Sequence, residues 1–395
     1  MAILSVNAGS STLKFSLHPA SGHQALAHVL SGNIQGLEPG GTPTMDWTLN
    51  GEKQRRSLQA TQTDPFVEAL SQLRQLLQTL PSLPQIKAVA HRVVHGGELY
   101  SASVVVTDDI LSQLTRFNSL APLHQPHNLE GIRAFAKAFA GVPQVACFDT
   151  AFHATLPEMA QAFALPAEVT DQGVRRYGFH GLSYQYIMMR LQAHSARANG
   201  RVLMAHLGNG ASLCGANGGK SCTTSMGFSA LDGLMMGTRS GNLDAGVLLY
   251  LLEQGWNHDR LQKLLYKQSG LLGVSGISAD MRTLRASESP QAKKAIDLFT
   301  YRVLRESGAM IACLGGLDVI AFSGGIGEHD TALRAQVCAE LGWLGVKLDE
   351  SANQSATGDA ITAIHAPGSA VEVWVVPTDE GLVAAMDAAK LVSAE

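Results

Sequence analysis

Apolar and polar positions organise the first twenty residues into two short runs. Ile3–Val6 is apolar, Leu13–Leu17 alternates, and Asn7-Ala8-Gly9-Ser10-Ser11-Thr12 lies between them. Two such runs around a small, polar turn predict a β-hairpin. The layout returns at Val202–Gly215, VLMAHLGNGASLCG, with His206 in the place of Asn7 and Gly208 in the place of Gly9. The copies lie 199 residues apart (206 − 7), about half of the 395-residue chain. A repeat of that length predicts duplicated domains rather than a solenoid.

Further strands are predicted at Met45–Leu49, inside the polar, turn-rich stretch Ser31–Thr63, and as buried runs at Ile86–Val94, Gln144–Phe148, Asp318–Phe322 and Val371–Val376. Helix signals stand between them. Asp64-Pro65 reads as N-cap and first helical residue, with Phe66, Leu70, Leu73, Leu77 and Leu80 on one face and Pro81 and Pro84 as the stop. Asn128 is predicted to cap a helix over Leu129–Phe139, and Asp244 to start another. Pro290–Leu314 carries Ala295, Phe299, Val303, Met310, Ile311 and Leu314 in register. Helices are also predicted over Asp330–Leu341 and Leu382–Val392, and Gly270–Ser278 as a Gly/Ser-rich turn. Strands alternating with helices in a chain of this length fit two α/β domains.

Composition narrows the function. The chain is 46% hydrophobic with a net charge of −4, which argues against a general nucleic-acid or membrane-surface binder. The five cysteines, Cys147, Cys214, Cys222, Cys313 and Cys338, have no C-x-x-C spacing and read as small buried hydrophobes in a reducing compartment. Gly315, Gly316 and Asp318 interrupt the apolar stretch Gly308–Phe322, so no membrane span is expected. No basic segment precedes the first strand, so no signal peptide is predicted and a cytoplasmic location is expected.

The chemistry gathers at strand ends, where open α/β folds hold ligands. The first hairpin turn offers backbone N–H groups, hydroxyls and Lys14 to an anion, although it is not a G-x-x-x-x-G-K-[ST] loop. Ile86–Val94 ends in His91-Arg92-Val93-Val94-His95-Gly96-Gly97, and Gln144–Phe148 delivers Asp149. Arg175–Ser183, RRYGFHGLS, concentrates positive charge, aromatic rings and His180. Arg239 stands alone in the Gly-rich loop Gly233–Gly246. Asp318–Phe322 runs into Ser323-Gly324-Gly325-Ile326-Gly327-Glu328, a turn suited to phosphate or nucleotide backbone, and Val371–Val376 into Pro377-Thr378-Asp379-Glu380. Each has a structural alternative: Arg92 paired to a framework carboxylate, Asp149 initiating a turn, His180 as a capped structural histidine, Arg239 as a solvated cation. No zinc, di-iron or Ser-His-Asp pattern is present, and no G-x-G-x-x-G follows the first strand.

In order along the chain, VNAGSSTLKF, HRVVHGG, LAPLHQPHN, FDTAFHATLP, RRYGFHG, HLGNGAS, GKSCTTSMGF, MGTRSGNLD, SGGIGEH and VVPTDEG resemble the acetate kinase family (acetate and propionate kinases) of the sugar kinase/heat-shock/actin superfamily. The resemblance implies two duplicated actin-like, ribonuclease H-like α/β domains with a cleft between them. It implies an N-terminal acyl-kinase domain, 1–150 plus 381–395, and a C-terminal nucleotide-binding domain, 151–380. It also implies MgATP (or Mn2+) as co-substrate, reversible formation of an acyl phosphate, and a homodimer. By matching motif, Asn7 and Glu380 resemble the magnesium-side residues, and Lys14 a phosphate contact. Arg92 and Arg239 resemble the arginines that hold the carboxylate and the transferring phosphoryl group. Asp149 resembles the catalytic acid/base, and His180 the transition-state stabiliser. His206-Leu207-Gly208-Asn209-Gly210 and Gly324-Gly325-Ile326-Gly327-Glu328 resemble nucleotide-phosphate and ribose loops, and Asp280-Met281-Arg282 the adenosine-side segment.

Phosphoryl transfer to a carboxylate demands positioning and charge neutralisation, which two arginines, a histidine, a lysine and Mg2+ supply. A carboxylate acceptor with a pKa of roughly 4–5 is already ionised, so Asp149 need not be a strong base and is expected to orient Mg2+ or the arginines. Two departures bear on the acyl group. Thr223 stands where the family has an acid, and Ser229-Ala230-Leu231-Asp232-Gly233 where it has Thr-Pro-Leu-Glu-Gly. Ala230 is smaller than that proline, so the pocket matching Val94, Leu123, Phe179 and Ala230 is expected to be roomier. The reading is acetate kinase, with propionate or another short-chain acyl kinase as the alternative. An actin-like ATP-dependent switch is the alternative from another class, and Arg92, Arg239 and His180 argue against it.

Overall fold

The computed structural model describes residues 1–9, 11–38, 41–58, 65–80 and 83–393, and divides into two units. Met1–Ala151 with Asp379–Glu395 forms the first, and Phe152–Thr378 the second.

Among the described residues the first unit's strands are β1 Ala2–Ala8, β2 Thr12–Ser21, β3 Gln24–Ala25, β4 Leu30–Gln35, β5 Thr44–Leu49, β6 Glu52–Ser57, β7 Ile86–Val93, β8 Val104–Val105 and β9 Gln144–Phe148. They form one sheet in the order β6-β5-β4-β2-β1-β7-β9-β8, with β3 paired to β2. The hairpin predicted from the alternation is β1 on β2, antiparallel, with Asn7 opposite Lys14. Parallel β7 flanks β1 on its other side. Ala2, Leu4, Val6 and Ala8 face a core shared with Leu70, Leu73 and Leu76 of the helix Pro65–Thr79. The C-terminal helix Glu380–Val392 packs against β1 and β7. The proposed cap Asp64 and the stop at Pro81 lie outside the described residues.

The second unit repeats the plan with β10 Arg201–Leu207, β11 Ala211–Asn217, β12 Lys220–Thr224, β13 Val319–Ser323, β14 Thr362–Ala363 and β15 Glu372–Val375, in the order β12-β11-β10-β13-β15-β14. Its central strand β10 is antiparallel to β11 and parallel to β13, as β1 is to β2 and β7. Asn7 and His206 hold the same sixth place in their seven-residue strands. Tyr184, Ile187, Met188 and Leu191 of the helix Gly181–His194 cover Val202, Met204, Val319 and Ala321. The helix Pro290–Leu314, capped by Ser289, packs on β11 and β12.

Three local expectations change. Asn128 is not an N-cap: the helix begins earlier, at Gln125, because Pro126 in its first turn pre-sets helical φ. Asn128 is instead buried within it, accepting from Val94 N–H at 3.0 Å and donating to the Ala8 carbonyl at 2.8 Å, which ties the ends of β7 and β1 together. Gly270–Ser275 is a short helix rather than a turn. Gly324–His329 is helical from the last residue of β13 onward, with Asp330 capping a second helix, Thr331–Glu340. The fully buried Arg334 fixes that corner by donating to the carbonyls of Gly327, Glu328, Asn353 and Ala356.

Candidate active site

In the first unit, four chain-distant residues meet at the ends of β1, β7 and β9 and at the start of the C-terminal helix. Arg92 Nε and Nη2 donate to the two oxygens of Asp149 at 3.1 and 2.5 Å. Nη1 donates to Asn7 Oδ1 at 3.4 Å, and Glu380 Oε2 lies 3.6 Å from Nε. A guanidinium matches a carboxylate in this two-point manner because its N–H groups form a planar fork. Asp149 is buried, at 1% exposure, so the pair is sheltered from screening. Burial opposes the charge on Arg92, but Asp149 and Glu380 outweigh it and raise the Arg92 pKa above its usual value. Two carboxylates and an amide oxygen around one guanidinium leave a net charge of about −1 and a set of hard oxygen donors, which suits Mg2+.

In the second unit, His180, His206, Gly210 and Arg239 come together. His180 caps the helix Gly181–His194 in the left-handed conformation, φ 58°, which few non-glycine residues adopt. Its Nδ1 is 2.8 Å from Ser212 Oγ, and its ring stacks on His206 with centroids 4.2 Å apart. A side chain added at Gly210 would stand 3.4 Å from His180 Nε2 and 3.8 Å from Arg239 Nη2, so the glycine leaves open the space that the imidazole and the guanidinium border. Arg239 Nη1 donates to the Ala230 carbonyl at 2.9 Å, which fixes the guanidinium from behind. Glu328 Oε1 accepts from Gly324 N–H at 2.9 Å and Thr378 N–H at 3.1 Å, locking the start of the Gly-rich helix to the end of β15. Burial raises the Glu328 pKa.

The positive charge of Arg175-Arg176 does not join this cluster. Arg175 donates to Gln161, and Arg176 Nη1 binds the carbonyls of Thr224, Ser225 and Met226 and the Asp232 carboxylate at 3.1 Å. The departure residue Asp232 is thereby part of the framework under the Ala230 loop. Asp280 and Arg282 pair with each other at the surface, with Asp280 capping Met281–Arg285. Lys14 is exposed on β2, Val94 is buried and Leu123 half-buried in the first unit, and Phe179 is buried in the second. Sequence reading missed Ser183, Ser212 and Thr378. Ser183 Oγ bridges His206 Nδ1 at 2.7 Å and Thr378 Oγ1 at 2.8 Å, and no pattern in the chain connects residues so far apart.

His153 supports His180 from beneath. Its Nε2–H donates to the Phe179 carbonyl at 2.9 Å, and its Nδ1 accepts from Ser221 Oγ at 2.8 Å. Gly178, at φ 77°, has no room for a side chain, since a Cβ would strike the His153 ring at 2.7 Å.

The Acetokinase family model matches residues 2–386. An acetate kinase from Rhodopseudomonas palustris is 50% identical over 97% of this chain and 96% of its own, and one from Nitrobacter hamburgensis 42% identical over 97% and 94%. Among solved structures, Porphyromonas gingivalis acetate kinase superposes with a TM-score of 0.87 at 36% identity, and a propionate kinase from Francisella tularensis with 0.90 at 34%, each over 98% of both chains.

Burial lowers the His153 pKa to about 4, against the bond to Phe179. The folded ring stays neutral while the unfolded one, near 6.5, takes a proton. Stability from this group is therefore complete above about pH 6.5 and is lost as pH falls toward 4, by at most about 3 kcal/mol. Tm measured from pH 7 down to 4 should fall less steeply in His153→Gln than in the wild type. The slope should not vanish, because buried His91 is also lowered to about 4.

Proposed function

The chain belongs to the acetate kinase family, and on that premise we propose how its residues share the work. It transfers the γ-phosphoryl group of ATP reversibly to acetate, giving acetyl phosphate and ADP. Its fold is the duplicated actin-like α/β fold of that family.

An acetate oxygen forms the new bond to the γ-phosphorus while the bond from phosphorus to the β,γ-bridging oxygen breaks. Acetate is ionised at neutral pH, so no proton leaves the nucleophile. The protein must gather several negative groups and stabilise the charge on the transferring phosphoryl oxygens. The observation that carries the assignment is the second-unit cluster. Arg239 is anchored through the Ala230 carbonyl, and its Nη2 borders, with His180 Nε2, the space left by Gly210. That is a fixed frame of a guanidinium and an imidazole for phosphoryl oxygens. Arg92 binds the acyl carboxylate, and Asp149 orients Arg92 rather than accepting a proton, since both its oxygens are engaged by that guanidinium.

Asn7 and Glu380, with Asp149 beside them, are the residues that would hold Mg2+. The ion would neutralise nucleotide phosphate charge. Lys14, the hairpin turn His206–Gly210, Gly324–Glu328 and Asp280–Arg282 serve the nucleotide. Val94, Leu123, Phe179 and Ala230 are read as the residues that select the acyl group. The first unit is read as the acyl-kinase domain and the second as the nucleotide-binding domain. No described helix is long and apolar enough to cross a membrane; a cytoplasmic location remains part of this reading. A homodimer is favoured by the helix Ala245–Glu253, which exposes Leu249 at 62% and Tyr250 at 58%.

Arg239→Ala should lower kcat about 10³-fold or more with an unchanged circular dichroism spectrum, the scale of removing an arginine from a phosphoryl transition state. Retention of more than a tenth of the activity in a folded variant would reject the role. Glu380→Ala should shift the Mg2+ titration of activity to higher concentration and depress kcat, with little change in Tm. Superimposable titrations would remove it from the metal side. Because Ala230 replaces a larger proline, propionate should be used with kcat/KM within about tenfold of acetate. Ala230→Pro should penalise propionate more than acetate, and an equal effect on both acids would show that Ala230 does not shape the pocket.

A further inference from the structure

We propose that His18, His28 and Asp379 form a second cation site, separate from the magnesium side, that takes a borderline-soft divalent ion such as Zn2+. One ligand atom from each residue lies within 4.8 Å of the other two. His28 Nδ1 and Asp379 Oδ2 are 3.6 Å apart. A tetrahedral zinc with bonds of about 2.0–2.2 Å spaces its ligands by roughly 3.3 Å, so this pair needs only a small adjustment and the set as a whole must draw together. His28 can make it, since its side chain is 42% exposed.

His18 is prepared to ligate. It is fully buried on β2, and its Nδ1 is 2.9 Å from the Leu26 carbonyl oxygen. A carbonyl can only accept, so Nδ1 carries the proton, and in the neutral ring Nε2 holds the lone pair. Metal-binding histidines are oriented in this manner, with the second nitrogen donating to a backbone carbonyl. Nε2 points at Ser16 Oγ, 2.9 Å away, which a metal would displace or recruit.

The close approach of the C-terminal helix is an independent observation. Gly381 follows the cluster at the start of that helix. A Cβ there would lie 2.6 Å from Ser16 Oγ and 3.4 Å from both His18 Nε2 and Asp379 Oδ1. The glycine therefore lets the start of the helix bring Asp379 close to the hydroxyl and the imidazole, which a side chain would push apart. Two imidazole nitrogens favour zinc and its neighbours over magnesium, which prefers oxygen alone. Asp379 also caps the helix through Leu382 N–H at 2.9 Å, so an ion held there would fasten the segment that carries Glu380.

The test is equilibrium binding of Zn2+ to the intact protein by calorimetry, in excess Mg2+ so that oxygen-only sites are filled. Wild type should bind a single equivalent, and Zn2+ should raise its Tm. His28→Ala should weaken binding by more than about tenfold, since even loss of an outer-sphere partner costs about that much, and abolish the Tm rise. Its Tm and acetyl phosphate formation without Zn2+ should match wild type, because the His28–Asp379 pair is too exposed to contribute much. His18→Gln should lose binding similarly; if it does not fold, His28→Ala alone decides. No uptake by wild type, or equal uptake by wild type and His28→Ala, would overturn the site.

Discussion

The first unit depends on one guanidinium. Arg92 draws the ends of β1, β7 and β9 and the start of the C-terminal helix to a single point. Without that cation, Asp149 would be a buried carboxylate with its main counter-charge gone, and such a charge is expensive to leave uncompensated. The pair therefore does two things. It closes the carboxyl ends of the strands, and it fixes the orientation of the guanidinium that is proposed to meet the substrate carboxylate. Asp149 belongs to this arrangement as an orienting group, which agrees with the chemistry of an acceptor that has no proton to lose.

The second unit solves a similar problem with different residues. Its central strand ends in His206 where the first ends in Asn7, and the adjoining histidine sits in a left-handed backbone conformation. That conformation is held by contacts from three sides: Ser212 on Nδ1, the His206 ring on its face, and His153 beneath the preceding carbonyl. Strain that is overdetermined in this way is stable and keeps the imidazole in place before substrate arrives. The same economy places Arg239, whose anchor is a backbone carbonyl rather than a carboxylate.

The sequence by itself determined most of the elements and singled out the polar residues that gather at strand ends. Alternation at Ile3–Val6 and Leu13–Leu17, echoed at Val202–Gly215, fixed two hairpins, because a period of two leaves only one way to bury a strand's apolar face. The same pattern placed Arg92 near the end of one buried strand and Asp149 just past another, and the glycines around Arg239 marked it as a candidate. A capping signal was legible where a side chain reaches its own helix, as at Asp244. Such a signal misled at Asn128, whose amide goes to other strands instead.

Only the tertiary structure decided which partner each polar group takes. Arg175 and Arg176 read as part of a site and are spent on carbonyls and on Asp232. Ser183, Ser212 and Thr378 carry no signal and yet orient both histidines. His18 and Asp379 stand 361 positions apart (379 − 18), and the three residues of that cluster meet because the last helix returns to β2 and β3. Hydrophobic periodicity is a local property, set by the geometry of one strand or helix, and so it survives in the sequence. Hydrogen bonds and ion pairs are short-ranged and directional, and nothing local encodes which distant segment will supply the other half.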